Sequence, residues 1–323
     1  MSSSTSSSEP LRLLLRALAF GTLPLGVLVA AMCWGPHASR VDYMGGLEQK
    51  HTRLHSLPSP KVIIIGGSNA AFGIDSERLE EALCRPVVNM SIHASLGYRF
   101  MVDEVIDWIG TDDLVIVALE QSGYSEPAKD NDMHLLAVDR FPEALGNIPW
   151  YLRPKVIAGI AVMRLQAAWK VLSGAWTSDE PDPVYRADGF NLQGDVISHL
   201  DRPRRDASRK ARAEYREPKF APEFVELTDA LAQRVAEAQG TLVFAWPTVA
   251  QSSYEPEFHE AMRDGLVAQG YTITGGSQDY VYPDSSYYDT HQHLNAAGRQ
   301  LRTSRLLDDL CGLAAVGCCV TLP

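Results

Sequence analysis

The feature that most constrains this chain is the charge-free run from Ala17 to Pro36, ALAFGTLPLGVLVAAMCWGP, preceded by Arg12 and Arg16. At 1.5 Å rise per residue, ~20 apolar residues in a helix match a hydrocarbon core of ~30 Å. Core helices of water-soluble domains rarely lack a polar face over such a length. The arginines on its N-terminal side favour a cytoplasmic N-terminus and an exported C-terminal body, and Trp34 falls where an interfacial aromatic belongs. A cleaved signal peptide shares the basic and apolar regions. No clear A-x-A site follows, however, and Met32 stands before Cys33 where a lipoprotein signal has a small residue. The expectation is a single-pass inner (cytoplasmic) membrane protein with a periplasmic or extracellular body. Residues 1–10 read as a serine-rich disordered tail, 11–36 as the anchor and 37–60 as a connector.

Beyond residue 40 the chain is acidic, with 26 lysines and arginines against 39 aspartates and glutamates. Nucleic-acid affinity rests on cations that neutralise phosphates, so no nucleic-acid partner is expected. The densest basic run, RPRRDASRKAR from Arg202 to Arg212, is short and reads as a solvated loop or helix face. Five cysteines show neither CxxC pairs nor zinc-type spacing. Outside the cytoplasm Cys84, Cys311, Cys318 and Cys319 can pair in three ways, and small buried thiols are the alternative. No metal and no cofactor is expected.

The body alternates strand and helix patterns. KVIIIGGSN from Lys61 is a β-branched apolar run ended by glycines, as a buried parallel strand looks. A helical pattern over 75–84 with Asp75 as its cap follows, then a short strand over 86–90. A helical pattern over 98–109 leads to a third buried strand, DLVIVAL, over 113–119. This alternation predicts an α/β fold with a doubly wound parallel sheet. Residues 122–218 are less regular, aromatic-rich and helical near 156–172, and read as a mainly helical insertion or cap. Alternation resumes with a helix (221–239), a strand (241–246), a helix (255–269), a short strand (271–273) and a last helix (about 295–310).

Two segments carry chemistry. In IIIGGSNAAFGID, Ser68 follows directly on the first strand, and ligands of open parallel sheets bind at the carboxyl ends of strands. In YYDTHQHLNAAGRQL, Asp289 and His293 share a loop before the last helix, with Asn295 as a plausible cap. A serine hydroxyl becomes a nucleophile when a histidine takes its proton and an acid orients that histidine. His293 is preferred as the base over His291 because it leads directly into the turn LNAAG. DGFNLQGDVISHL clusters Asn191, Asp195 and His199 in what reads chiefly as turn structure.

GGSNAAFG and DTHQHLNAAG resemble the nucleophile and closing blocks of the SGNH (GDSL-type) hydrolase superfamily, over roughly residues 60–120 and 240–310. The GxSxG elbow of lipases is not met, since Ala70 stands where its second glycine belongs. The spacing departs from the family's Asp-x-x-His: it is Asp-x-x-x-His with His293, or Asp-x-His with His291. For the oxyanion hole the resemblance leaves Gly97 or the amide near Ala94, with Gln121 standing after the third strand where the family carries G-x-N. Asn191 is a further substrate candidate. The resemblance implies a flavodoxin-like three-layer catalytic domain over 61–323. It also implies acyl transfer, commonly of acetyl, to or from a cell-envelope polysaccharide, or hydrolysis of such esters. A transferase of this kind implies a multipass membrane acyl-donor partner. The alternative of another class is a non-catalytic envelope scaffold that kept the fold.

Overall fold

The computed structural model describes residues 8–37, 43–127, 132–175, 182–205, 218–313, 316 and 318–320. Residues 1–7 of the serine-rich tail and residues 206–212 of the basic run lie outside the described residues. Helix α1 (Ser8–Trp34) contains an apolar stretch, Leu11–Trp34, with a mean hydropathy of 2.0, mostly exposed until its last turns meet the body at Ala31 and Met32. This is one N-terminal helix long and apolar enough to cross a membrane.

The body begins with α2 (Gly46–Ser56), inside the stretch read as a connector, which buries Leu47, Lys50, His51 and Leu54. Then come β1 (Val62–Gly66), α3 (Ser68–Gly73), α4 (Ser76–Leu83), β2 (Val87–Asn89), α5 (Gly97–Val105) and β3 (Leu114–Ala118). The middle holds α6 (Ser122–Ser125), α7 (Asp132–Arg140) and α8 (Arg153–Leu172). The chain continues through α9 (Pro222–Glu237), β4 (Thr241–Phe244), β5 (Val249–Ala250), α10 (Pro256–Ala268), β6 (Val281–Tyr282) and α11 (Ala296–Cys311).

Four strands form one parallel sheet in the order β2-β1-β3-β4. Alternate side chains of each strand point to opposite faces. Ile63, Ile65, Val115 and Val117 therefore enter a core with Tyr98 of α5 and Phe224 and Leu231 of α9. Val62, Ile64, Leu114 and Ile116 enter another with Leu79 and Leu83 of α4 and Leu306 and Leu310 of α11. Both faces are covered, which is why these strands are continuous apolar runs rather than alternating ones. The stretch expected as a strand at 271–273 contributes an isolated bridge, Ile273 to Phe244.

Helix ends follow their caps. Asp75 accepts from the Arg78 N–H at 3.4 Å, and Asn295 accepts from the Gly298 N–H at 3.1 Å. Two disulfides, Cys84–Cys318 and Cys311–Cys319, close the end of the chain onto α4 and α11, so the thiol alternative falls for these four. Cys33 is free and exposed. The middle segment builds a third core, joining Phe141, Val156 and Ile160 to Phe72 of α3 and Tyr288.

Candidate functional site

The turn from β1 into α3 sets the first half of the site. Gly66 runs beside the Ala118 carbonyl and Gly67 beside the Glu120 carboxylate, so close that a Cβ at either position would collide. Ser68 is therefore delivered at the carboxyl end of β1 as the first residue of α3, half-buried. The next residue is fixed from three sides. The Asn69 N–H donates to Glu120 Oε1 at 3.0 Å, its Nδ2 donates to the Ala118 carbonyl at 3.1 Å, and Arg302 Nη2 donates to its Oδ1 at 2.9 Å. Arg302 also donates to the Asn69 and Trp246 carbonyls, so one fully buried guanidinium ties α11 to the α3 turn and to the end of β4.

The second half comes from the loop before α11. His293 Nδ1 lies 2.8 Å from Asp289 Oδ1, with both side chains largely shielded from solvent. Tyr185, from the middle segment, donates its hydroxyl to Asp289 Oδ2 at 2.6 Å and stands 3.1 Å from His293 Nδ1. Burial works against the Asp289 charge. The hydrogen bond and charge of His293, the Tyr185 hydrogen bond and the Arg205 charge outweigh it and hold the carboxyl below its usual range. Burial and then Asp289 push the Tyr185 phenol far up, so it stays a donor. With Nδ1 committed to the acid, Nε2 is the nitrogen left for chemistry.

The His293 ring stacks on Phe72 at 4.1 Å between centroids and 10° between planes. Phe72 is four residues beyond Ser68 on α3, and residues at i and i+4 share a helix face. The imidazole thus packs against a residue of the same short helix that Ser68 begins. Among the described residues no hydrogen bond joins Ser68 to His293. His291 points elsewhere, with Nδ1 3.5 Å from the Ser253 hydroxyl and its ring against Tyr287, and it has no contact with Asp289 among the described residues.

The oxyanion and substrate candidates divide. Gly97 has a positive φ of 85° at the start of α5, and its N–H is committed to the Ala94 carbonyl. Gln121 lines a cavity of about 70 Å³ with Glu120, Tyr124, Trp246, Phe258 and Gln292, at the carboxyl ends of β3 and β4; neither Ser68 nor His293 is among its lining residues. Asn191 closes a turn, where its Oδ1 accepts the Gly194 and Asp195 N–H groups. That turn presents Asp195, fully buried, to the Ser76 N–H and hydroxyl, Asn89 Nδ2 and Arg299 Nη2. Asn89 also donates to the Ala70 carbonyl at 3.3 Å, so the network supports α3 from behind. His199 donates its Nε2–H to the Leu294 carbonyl at 2.9 Å, and burial pushes its pKa down to about 4.

Two residues at the site have no motif. Glu120 was legible only as the residue following a buried strand, where ligands of such sheets gather. Tyr185 lies more than 100 positions before Asp289, and no local pattern distinguishes it from the other aromatics of the middle segment. Among the described residues no group of three or more His, Cys, Asp or Glu could hold a metal ion. No protein-family model matches the chain, and no curated protein matches it significantly.

Proposed function

We propose that the chain is a divergent, membrane-anchored member of the SGNH (GDSL-type) superfamily that transfers an acyl group, acetyl in the first instance, to or from a cell-envelope polysaccharide. The observation that carries the reading is the Tyr185–Asp289–His293 cluster, whose imidazole stacks on Phe72 of the helix that Ser68 begins. An acid that fixes Nδ1 leaves Nε2 to act as general base, the division of labour a serine nucleophile needs. The strand order, the serine after β1 and the Asp–His loop before α11 support the three-layer SGNH-like assignment, with 61–323 as the catalytic domain and 122–218 as its insertion.

In this mechanism Ser68 Oγ attacks the ester carbonyl while His293 Nε2 takes the hydroxyl proton. The C–O bond to the leaving alcohol breaks, and the imidazolium returns that proton to the departing oxygen. The resulting acyl-serine is then attacked by a sugar hydroxyl deprotonated by His293, which regenerates Ser68. Water in place of sugar turns the same cycle into an esterase. The cavity of about 70 Å³ beside Glu120 and Gln292 is far below the ~300–1,000 Å³ of drug-sized sites. Its volume matches a short acyl chain, although its lining holds neither Ser68 nor His293.

The two disulfides support a body outside the cytoplasm, where such bonds persist. Arg12 and Arg16 support an N-terminus inside. A single span cannot carry an acyl donor across the bilayer, so transfer calls for a multipass membrane partner. A second reading, a scaffold without catalysis, is favoured by the committed Gly97 amide and by the Glu120 carboxylate beside the serine turn.

Intact mass of the full chain after exposure to a fluorophosphonate or a chromogenic acetyl ester separates the two. The enzyme gains one adduct that Ser68→Ala and His293→Ala remove and His291→Ala retains. Folded protein without an adduct from either reagent leaves the scaffold.

A further inference from the structure

We infer that α8 is a second membrane contact: its outward face lies in the lipid headgroup and acyl boundary of the bilayer that α1 spans. The inference rests on the reading of α1 as a span. Helix α8 has two apolar faces, where a surface helix of a water-soluble domain has one. Val156, Ile160 and Ala167 face the protein and are buried. Ala158, Val162, Leu165, Trp169 and Leu172 follow the spacing i, i+4, i+7, i+11, i+14 and are all exposed, Trp169 at 71% and Leu172 at 82%. Trp150 and Tyr151 are exposed just ahead of the helix.

Three observations say what covers this stripe. First, α8 packs against α1, and Arg164 is the bolt: it donates to the Met32 carbonyl in the last turns of α1 and to Asp139 at 2.6 Å. Helix α8 therefore lies at the end of the body from which the anchor emerges. Second, its aromatic composition at the two ends is that of an interface, where the amphipathic rings of tryptophan and tyrosine concentrate. Third, α8 exposes Lys155 and Lys170 and carries no acid, in a chain of net charge −11. A basic apolar helix on an acidic protein complements anionic headgroups. With α1 and α8 both engaged, the body is held at two places and cannot swing freely on a tether.

The test uses the full chain in vesicles of phosphatidylcholine and phosphatidylglycerol carrying nitroxide lipid. In a Cys33→Ser background, which removes the free thiol, an environment-sensitive fluorophore is attached through Leu165→Cys, Trp169→Cys, Leu23→Cys on α1 or Glu257→Cys on α10. The stripe labels are expected to lose at least about half their emission at the ~5–10 Å depth of an interfacial helix, as the α1 label does at greater depth, while the α10 label is unaffected. Because a label can disturb the helix, brominated lipid is also applied to the otherwise unaltered chain and to Trp169→Phe, with a larger loss of tryptophan emission expected in the former. A quenched α1 label with stripe labels that behave like the α10 one overturns the proposal, keeps the anchor and leaves the stripe to a protein partner. Quenching at none of the sites overturns the anchor reading and the proposal together.

Discussion

Asp195→Ala gives the sharpest test of how the site is held. The Asp195 side chain is fully buried and receives the Ser76 N–H at 2.8 Å, the Ser76 hydroxyl at 2.5 Å, Asn89 Nδ2 at 2.8 Å and Arg299 Nη2 at 2.8 Å. Truncation leaves a nearly buried guanidinium with only the more distant Asp75 oxygen at 3.3 Å as a charged neighbour. It also strands the Ser76 N–H and one Asn89 donor. Breaking a buried ion pair from one side costs about 3–5 kcal/mol, a large share of a total stability of roughly 5–15 kcal/mol. For a domain of this size about 1 kcal/mol moves Tm by roughly 2–4 °C, so the expected drop is about 6–20 °C. The double variant Asp195→Leu with Arg299→Met is expected to recover part of the loss, since removing both charges removes the stranded one. The assay is thermal unfolding of the full chain in detergent, followed by circular dichroism. A drop below about 3 °C for Asp195→Ala, corresponding to about 1 kcal/mol, would refute the claim that this carboxylate organises the back of α3.

Three further outcomes are expected. Tyr185→Phe removes a hydrogen bond to a charged acceptor, worth about 1.5–3 kcal/mol. Turnover should fall about 10- to 100-fold, with the acid limb of the pH profile moved upward because Asp289 loses a donor that stabilises its charge; an unchanged limb would remove Tyr185 from the site. Lys50 donates to the Asn89, Ser91 and Gly194 carbonyls, and burial, opposed by Asp195 and Glu104, lowers its pKa to about 7. Against about 10.4 in the unfolded chain, the unfolded state binds more protons between these values, so Lys50 makes stability rise with pH from about 7 to about 10. Lys50→Met should flatten that rise in thermal midpoints taken across the window, and an identical slope in both proteins would count against it. The Cys84–Cys318 bond closes a separation of 234 residues; Cys84→Ser should cost about 2–5 kcal/mol, read as a fall in Tm that added reductant reproduces in the unaltered chain.

The sequence determined the elements whose signals are local. The apolar run became α1, and KVIIIGG, PVVNM and DLVIVAL became three strands because a strand buried on both faces is apolar except where a polar side chain such as Asn89 finds hydrogen-bond partners. Asp75 and Asn295 marked helix starts because a cap acts on N–H groups two or three residues away. Asp289 and His293 lie 2.8 Å apart, since four residues in one loop need no long-range packing to find each other.

The tertiary structure decided everything that depends on segments distant in sequence. Tyr185 reaches Asp289 across 104 positions, Arg302 reaches Asn69 across 233, and Cys84 chose Cys318 rather than Cys311 or Cys319. None of these partners is fixed by a neighbour's identity. Asn191 and Asp195 share a segment, but their roles differ because the fold turns Asp195 inward onto Ser76 and Arg299 while Asn191 closes the turn. Periodicity likewise marked α8 as a helix, yet only its packing on the middle core distinguishes the apolar stripe that is buried from the one that stays exposed. A pattern of side chains fixes the period of an element, whereas a contact also needs the position of the other partner, and that is set by the whole chain packing at once.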